Sequence, residues 1–435
     1  MMPNKQKNSA PMLSVTDALA AILGHLPYTD TQTISLKPGL ENLGPENVAL
    51  GAILAEDLTA VLTLPPQAVS AMDGYAVRGV DVASMPASLT RIAESAAGHP
   101  WSGKISAGQA VRVFTGAAIP DGADTIVIQE DVDPVAEEDG AVITIRNAEP
   151  IGRYIRPAGL DVRAGEIILP AGSLLTSRAI GLAIAAGLTH AIISKKPRVG
   201  ILSTGDELVE PGNMPGPGQI ISSNASFLAS FVTACGAEAV NLGIARDQPR
   251  AMLGAVRAAN KLDLIVTTGG ASVGTHDHIV RDLAAAAGTN GTDDAVISSG
   301  LNFWKIAMRP GKPLISGFVD GIPLIGLPGN PVSTAICALV FLGPALAHMC
   351  RGSVTTPSFD VALSVPLDAN DQRQDYIRAV LENDDQGQSV RPAPRQDSSM
   401  MSVLAQANAL IIRPPFEGAR AAGDRVTVML LPHLY

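Results

Sequence analysis

The run Leu327-Pro328-Gly329-Asn330-Pro331 lies between a short apolar β-like segment, Ile322 to Gly326, and a long apolar helical pattern, Val332 to His348. The order is strand, tight loop, helix start. Two prolines and a glycine set the loop backbone, and the first N–H groups of a helix have no partner within it. Such a corner suits an anion, because those groups and the helix dipole both favour negative charge. Taken alone, the run is also an ordinary βα turn. Two further strand ends carry loops of the same kind. Ser203-Thr204-Gly205-Asp206-Glu207 follows the β-like run Arg198 to Leu202. Thr267-Thr268-Gly269-Gly270-Ala271-Ser272-Val273-Gly274 follows Leu262 to Val266. In an open parallel sheet the ligand crevice lies outside the carboxyl ends of the strands. Three such loops in order, with acids and cations between them, describe a site for a phosphorylated ligand, with Ser272, Pro328, Gly329, Asn330 and Pro331 as loop contacts.

Glu207 ends a Gly-Asp-Glu turn just past a strand. A hard dication takes oxygen ligands, so Glu207 is the first candidate to hold Mg²⁺ or act at a nucleotide phosphate. Asp206 precedes the turn and is expected to bond its own backbone. Asp247, between a strand and the helix opened by Pro249, is either an N-cap or a site acid. Lys305, Arg309 and Lys312 put three cations within eight residues. On an extended segment 305 and 309 share a face and 312 does not. A turn at Pro310-Gly311 is expected to bring Lys312 back toward the others. Arginine holds an oxyanion with two donors, and lysine supplies a point charge. The alternative is a solvated basic strand, against which Trp304 and the prolines argue. His276 and His278 have the spacing of a zinc pair, but no further His or Cys nearby completes a four-ligand set.

The elements that must position these residues belong to more than one domain, since 435 residues exceed a single core. Aromatics are only 3%, so Ala, Val, Leu and Ile must build the cores. The net charge of −10 argues against a general nucleic-acid binder and against docking on an anionic membrane. The three cysteines, Cys235, Cys337 and Cys350, have no CxxC spacing and read as apolar fillers in a reducing compartment. Met1 to Ser9 lacks the apolar core of a signal peptide. The longest apolar run, Ala335 to Ala347, is too short to span a bilayer and contains Pro344. The expected location is the cytoplasm.

Helices are expected over 14–26, capped by Ser14 or Thr16, and over 45–56. From about 61 to 155 short β-like runs take over, including Ala110 to Phe114, Thr125 to Ile128 and Val142 to Ile145, which predicts a small inserted β domain. Residues 1–60 and 156–196, with an Ala-rich helix over 177–188, are assigned to a discontinuous helical or linker domain. From 197 to 350 strands (198–202, 239–244, 262–267, 322–327) alternate with helices (224–235, 249–260, 276–287, 331–349). That alternation predicts a doubly wound α/β domain, with Asn224 as an N-cap. Residues 351–435 lose the alternation. Phe359 to Val365, Tyr376 to Leu381, Ala409 to Ile412 and Arg425 to Leu431 read as strands of a C-terminal β domain. The fold class is therefore multidomain α/β and β.

In this order the residues resemble the molybdopterin molybdenumtransferases, or molybdenum insertases, the family that includes the E domain of gephyrin. The resemblance runs through Ser70-Ala71-Met72-Asp73-Gly74-Tyr75-Ala76, Thr115-Gly116-Ala117, Gly122-Ala123-Asp124, Gln129-Glu130 and Arg156-Pro157-Ala158-Gly159. It continues through Ser203 to Leu208, Gly269 to Gly274, Lys305 to Pro313, Leu327 to Pro331 and Ser398 to Ala409. Single segments are common turns; the ordered set is specific. The resemblance implies a homodimer of four-domain subunits whose α/β domain binds molybdopterin. It implies that adenylylated molybdopterin and molybdate are converted to molybdenum cofactor and AMP, with Mg²⁺ as the cofactor. It also allows transient contact with a molybdopterin adenylyltransferase or with molybdoenzymes. By the same resemblance Asp73 and Thr115 act across the dimer. Asp247 and Asp277 join Glu207 in catalysis and metal binding, and Arg378, Ser399 and Ser402 hold molybdate. The family usually has an Asp-Asn pair before Ser-Ala-Met-Asp, where this chain has Gln67-Ala68-Val69. Some members carry Lys at the Arg309 position. A molybdopterin adenylyltransferase, which shares the α/β domain, and a non-catalytic carrier or scaffold are the competing assignments.

Overall fold

Ser14 opens the first helix, α1 (Val15–Leu23), and its hydroxyl accepts the Asp17 N–H at 3.1 Å, as an N-cap should. Val15, Ala18 and Ile22 form its buried stripe. The structure is a computed structural model that describes residues 12–37, 49–133, 135, 138–147, 150–246, 251–269, 302–353, 357–384 and 387–431. The chain divides into two compact units. Asp247, Ser272, Asp277, the paired histidines and the helix expected over 276–287 lie outside the described residues. The helix expected over 45–56 does not form in its described part. Residues 49–56 run as turns, with Leu54 bridged to Ile193.

One unit comprises 33–50 and 56–191. Its centre is a six-stranded sheet of β1 (Gly74–Val77), β2 (Ala87–Ser95), β3 (Gln109–Val113), β4 (Thr125–Ile128), β5 (Val132–Asp133) and β6 (Val142–Ile145), in the order β4-β1-β3-β2-β6-β5. Strict alternation buries both faces. Tyr75 and Val77 enter one core, while Ala76 enters the other with Val111 and Ile126. The Ala-rich helix forms as α2 (Ser177–Ala185), capped by Thr176.

The other unit comprises 1–32, 51–55 and 192–435. Here β7 (Arg198–Thr204), α3 (Ser223–Ala234), β8 (Glu238–Ala245), α4 (Ala251–Ala258) and β9 (Leu264–Thr268) alternate as the periodicity predicts. Next come β10 (Asn302–Trp304), β11 (Met308–Arg309), β12 (Leu314–Val319) and β13 (Ile322–Leu327). The sheet order is β8-β7-β9-β13-β12-β10. The first four strands are parallel; β12 and β10 add an antiparallel edge that the apolar pattern alone did not mark. Val199, Ile201 and Val266 face α1, α3 and the helix after β13, whereas Leu202 and Ile265 face α4, so the domain is doubly wound. That helix, α5 (Pro331–Met349), is long and apolar enough to cross a bilayer by length and composition, but 78% of it is buried inside the protein. It has one π-helical turn at Ala338–Leu342 and serves as the central core helix.

The C-terminal segment closes into a five-stranded barrel of β14 (Ser358–Leu363), β15 (Gln374–Asp384), β16 (Gly387–Pro392), β17 (Ala409–Arg413) and β18 (Arg425–Leu430), with the short helix α6 (Met401–Gln406) beside it. β16 is the strand of this barrel that the sequence pattern did not mark, since Gly387-Gln388-Ser389 lacks an apolar alternation. β11 leaves the α/β sheet and pairs with β15.

Candidate active site

The carboxyl ends of β7, β9 and β13 stand side by side, with Ser203 opposite Thr268 and Thr268 opposite Leu327. Above them opens a cleft of about 660 Å³. Its floor is polar: Ser203, Thr204, Ser222, Asn224 and Thr268. Gly269 has a φ of +88°, and a Cβ there would come within 2.7 Å of the Thr204 carbonyl oxygen. A glycine is what lets these two strand ends meet. The Asn224 side-chain amide donates to Thr268 Oγ1 at 2.9 Å and to the Gly329 carbonyl at 2.8 Å, tying the second and third loops together. Asn224 is thus not the expected N-cap. Ser222 holds that position, and its hydroxyl is bonded to Ser203 at 2.8 Å instead.

Pro328, Gly329, Asn330 and Pro331 all line the cleft, as expected. The supply of free helix N–H groups is smaller than the sequence suggested. Pro331 has none, and Val332 donates to the Ser398 carbonyl at 3.0 Å. A second helix end compensates. The first turn of α3, at Ser222, Ser223 and Asn224, also lines the cleft and turns its positive dipole end toward it. Ser-Ser-Asn before a helical pattern was the available signal for this.

Glu207 lies on the cleft wall, its carboxylate against the Gly205 backbone. Among the described residues, Lys312 is the cation that reaches the cleft. A turn forms there, with Gly311 at a φ of +130° packed where a Cβ would lie 2.8 Å from Cys337 Sγ, but it parts Lys312 from Arg309 instead of bringing the cations together. Arg309 goes elsewhere. Its guanidinium pairs with Asp375 and approaches Asp371 at 3.5 Å, fastening β11 to the barrel. Lys305 is exposed and, like Arg309, lines no part of the described cleft.

From the barrel, Ser399 reaches the cleft, and its hydroxyl donates to Asp397 at 2.6 Å. That contact holds the Asp397 carboxyl below the usual carboxylate range. Ser402 is exposed on α6 and does not line the described cleft. Arg378 is 1% exposed. Its Nε donates to Gln396 Oε1 at 3.1 Å and its Nη1 to the Asp397 carbonyl at 2.8 Å, while Nη2 has no partner in the described structure.

In the other unit, Asp73 Oδ1 accepts the Thr115 N–H at 2.7 Å and the Thr115 hydroxyl at 2.8 Å. Those two donors lower the Asp73 pKa. Arg112 sits beside them between the Tyr75 and Phe114 rings, with Nη2 on Gln129 Oε1 at 2.6 Å.

A polar cleft at the strand ends of a doubly wound domain, followed by a barrel, defines a class of ligand-binding α/β enzyme. Comparison with known proteins gives the family. Residues 13–187 match the MoeA N-terminal region (domain I and II), 200–348 a probable molybdopterin binding domain, and 360–431 the MoeA C-terminal region (domain IV). A molybdopterin molybdenumtransferase of Haemophilus influenzae is 32% identical over 97% of this chain and 100% of its own length. Molybdopterin molybdenumtransferase 2 of Mycobacterium tuberculosis is 36% identical over 88% of this chain and 93% of its own. The crystal structure of a molybdopterin biosynthesis MoeA protein from Pyrococcus horikoshii superposes with a TM-score of 0.78 at 26% identity, covering 97% of this chain and 100% of that one. The chain belongs to the molybdopterin molybdenumtransferases, a family of enzymes.

Proposed function

We propose that this enzyme inserts molybdate into adenylylated molybdopterin and releases AMP, with magnesium as cofactor. The observation that supports it best is the convergence of Glu207, Lys312, the Pro328–Pro331 loop and the first turn of α3 on one cleft. A phosphoanhydride there meets the Lys312 cation and two helix ends. Water adds to a phosphorus of the anhydride, the bridging P–O bond breaks, and AMP leaves. Lys312 and the α3 terminus stabilise the charge that develops on the departing phosphate. The donors suit magnesium: Mg²⁺ keeps several waters and takes about one or two carboxylates besides substrate phosphate, and Glu207 lies among hydroxyl and amide side chains. When bound, the ion neutralises phosphate charge. Asp247 and Asp277 complete the acid set in this proposal.

Molybdenum is received by the substrate's own dithiolene sulfurs: two Mo–S bonds form, one Mo–O bond of molybdate breaks, and that oxygen leaves as water with the two thiol protons. The protein's thiols support this, because burial pushes Cys235 up to about 11 and raises Cys337 and Cys350 as well, so none is a ready thiolate. Molybdate is assigned to the segment Ser398 to Ser402 and to Arg378, whose buried Nη2 is a guanidinium donor without a partner among the described residues. Asp73 and Thr115 act on the cleft of a second subunit, which makes the working form a homodimer.

The test follows AMP in an incubation of purified protein with adenylylated molybdopterin, molybdate and Mg²⁺. Release should require all three, and Glu207→Gln should abolish it with the Tm unchanged. Full turnover by that variant would remove Glu207 from the site.

A further inference from the structure

Two adjacent isoleucines, Ile220 and Ile221, remain 57% and 44% exposed although they lie on the wall of the cleft. Single exposed apolar residues need no explanation. A fixed pair inside a polar cleft does. The pair is held by a short parallel ladder, Leu208 opposite Ile220 and Val209 opposite Ile221. The Ile220 N–H donates to the Glu207 carbonyl at 2.8 Å, and the Ser222 N–H donates to the Val209 carbonyl at 2.9 Å. The isoleucines are therefore set at a constant position relative to Glu207 on one side and to the first turn of α3 on the other. Both are β-branched, so their side chains have few rotamers to lose on binding. Nothing in the phosphate chemistry uses them. Ligand sites commonly pair a few convergent polar groups with an apolar wall that takes the ligand's body.

We propose that Ile220 and Ile221 form the seat for a flat heteroaromatic ring of the ligand whose phosphate is held by Lys312 and the two helix ends. This rests on the assignment of the cleft to a phosphorylated, ring-bearing ligand. Adenine and pterin share the required shape, and the test separates them.

The full-length protein is titrated by calorimetry with AMP, with a pterin monophosphate and with ribose 5-phosphate, which carries the phosphate without a ring. The variants are Ile220→Ser/Ile221→Ser and, as a conservative control, Ile220→Val/Ile221→Val. Both residues are exposed, so the substitutions should leave the Tm unchanged. The serine pair should weaken a ring-bearing ligand about tenfold, in line with the apolar area lost, while ribose 5-phosphate is unaffected and the valine pair stays close to wild type. Loss confined to AMP assigns the seat to adenine; loss confined to the pterin assigns it to pterin. An unchanged affinity for both ring ligands overturns the seat, and so does an equal loss for ribose 5-phosphate, which would mark a disturbed loop. If wild type binds ribose 5-phosphate as tightly as the ring ligands, the seat fails and the anion site stands. If wild type binds none of the three, the assignment of the cleft fails with it.

Discussion

Arg378 combines a buried anchor with a donor that has no partner among the described residues. Its guanidinium anchors the stretch that ends in Ser399, yet at 1% exposure one of its nitrogens has no partner among the described residues. An unpaired buried donor is costly, and a dianion would satisfy it. Lysine cannot match two parallel guanidinium donors. Arg378→Lys should therefore raise the molybdate concentration for half-maximal turnover roughly tenfold to a hundredfold, the effect of losing one charge-assisted contact. Affinity for adenylylated molybdopterin should stay unchanged. An equal loss of both affinities would leave Arg378 a purely structural anchor. Asp73 offers a second test at this scale. Its carboxyl is held below the ordinary value by the Thr115 backbone and hydroxyl donors, in that order. A depressed folded pKa contributes stability that is present above the unfolded carboxylate pKa and is lost as pH falls through the folded one. Thr115→Val removes the hydroxyl donor, so the Asp73 pKa should move up toward the ordinary value. A carboxyl titration by NMR would show it, and an unmoved pKa would mean the backbone donor alone sets the value.

At the scale of elements, the segment from β11 to β12 carries Arg309 to the barrel and Lys312 to the cleft within four residues. Gly311 makes this reversal, since its φ of +130° leaves no room for a Cβ beside Met308 and Cys337. Gly311→Ala should cost about 1–3 kcal/mol, the usual range for a strained backbone position, and be read as a lower urea midpoint. Because the loop presents Lys312, phosphate binding should weaken in the same variant. Lost stability with intact phosphate binding would show that Lys312 reaches the cleft independently of the turn. The helix α5 makes a similar point about context. Its composition would pass for a bilayer span, but α1, α3 and the sheet take up its apolar surface.

At the scale of the whole molecule, the proposed acids and donors are divided between the two units. Glu207 and Lys312 lie in one, Asp73 and Thr115 in the other. If the cleft is completed by a second copy, Asp73→Asn and Glu207→Gln proteins, each inactive alone, should regain part of the AMP release when mixed, because a heterodimer rebuilds one intact cleft. A mixture that stays inactive although its subunits demonstrably exchange would place the cleft within one chain.

Sequence by itself determined the elements whose periodicity is strong: β7, β8, β9, β13, α3 and α5, and the glycine- and proline-rich loops that end the strands. Those depend on local pattern, where apolar spacing and turn chemistry agree. It also placed Glu207 and the Leu327–Pro331 corner at strand ends, because a parallel sheet puts its crevice there. Tertiary structure decided what no spacing encodes. It chose Lys312 over Lys305 and Arg309 for the described cleft, since Asp375, 66 residues away in sequence, claims Arg309. It made Asn224 a clamp between two loops rather than a cap, because Thr268 and Gly329 come within reach only after the sheet forms. It consumed the Val332 N–H with Ser398 from the barrel and left two isoleucines bare on the cleft wall. Each outcome turns on a partner distant in the chain, and such a partner is chosen by packing, not by local order.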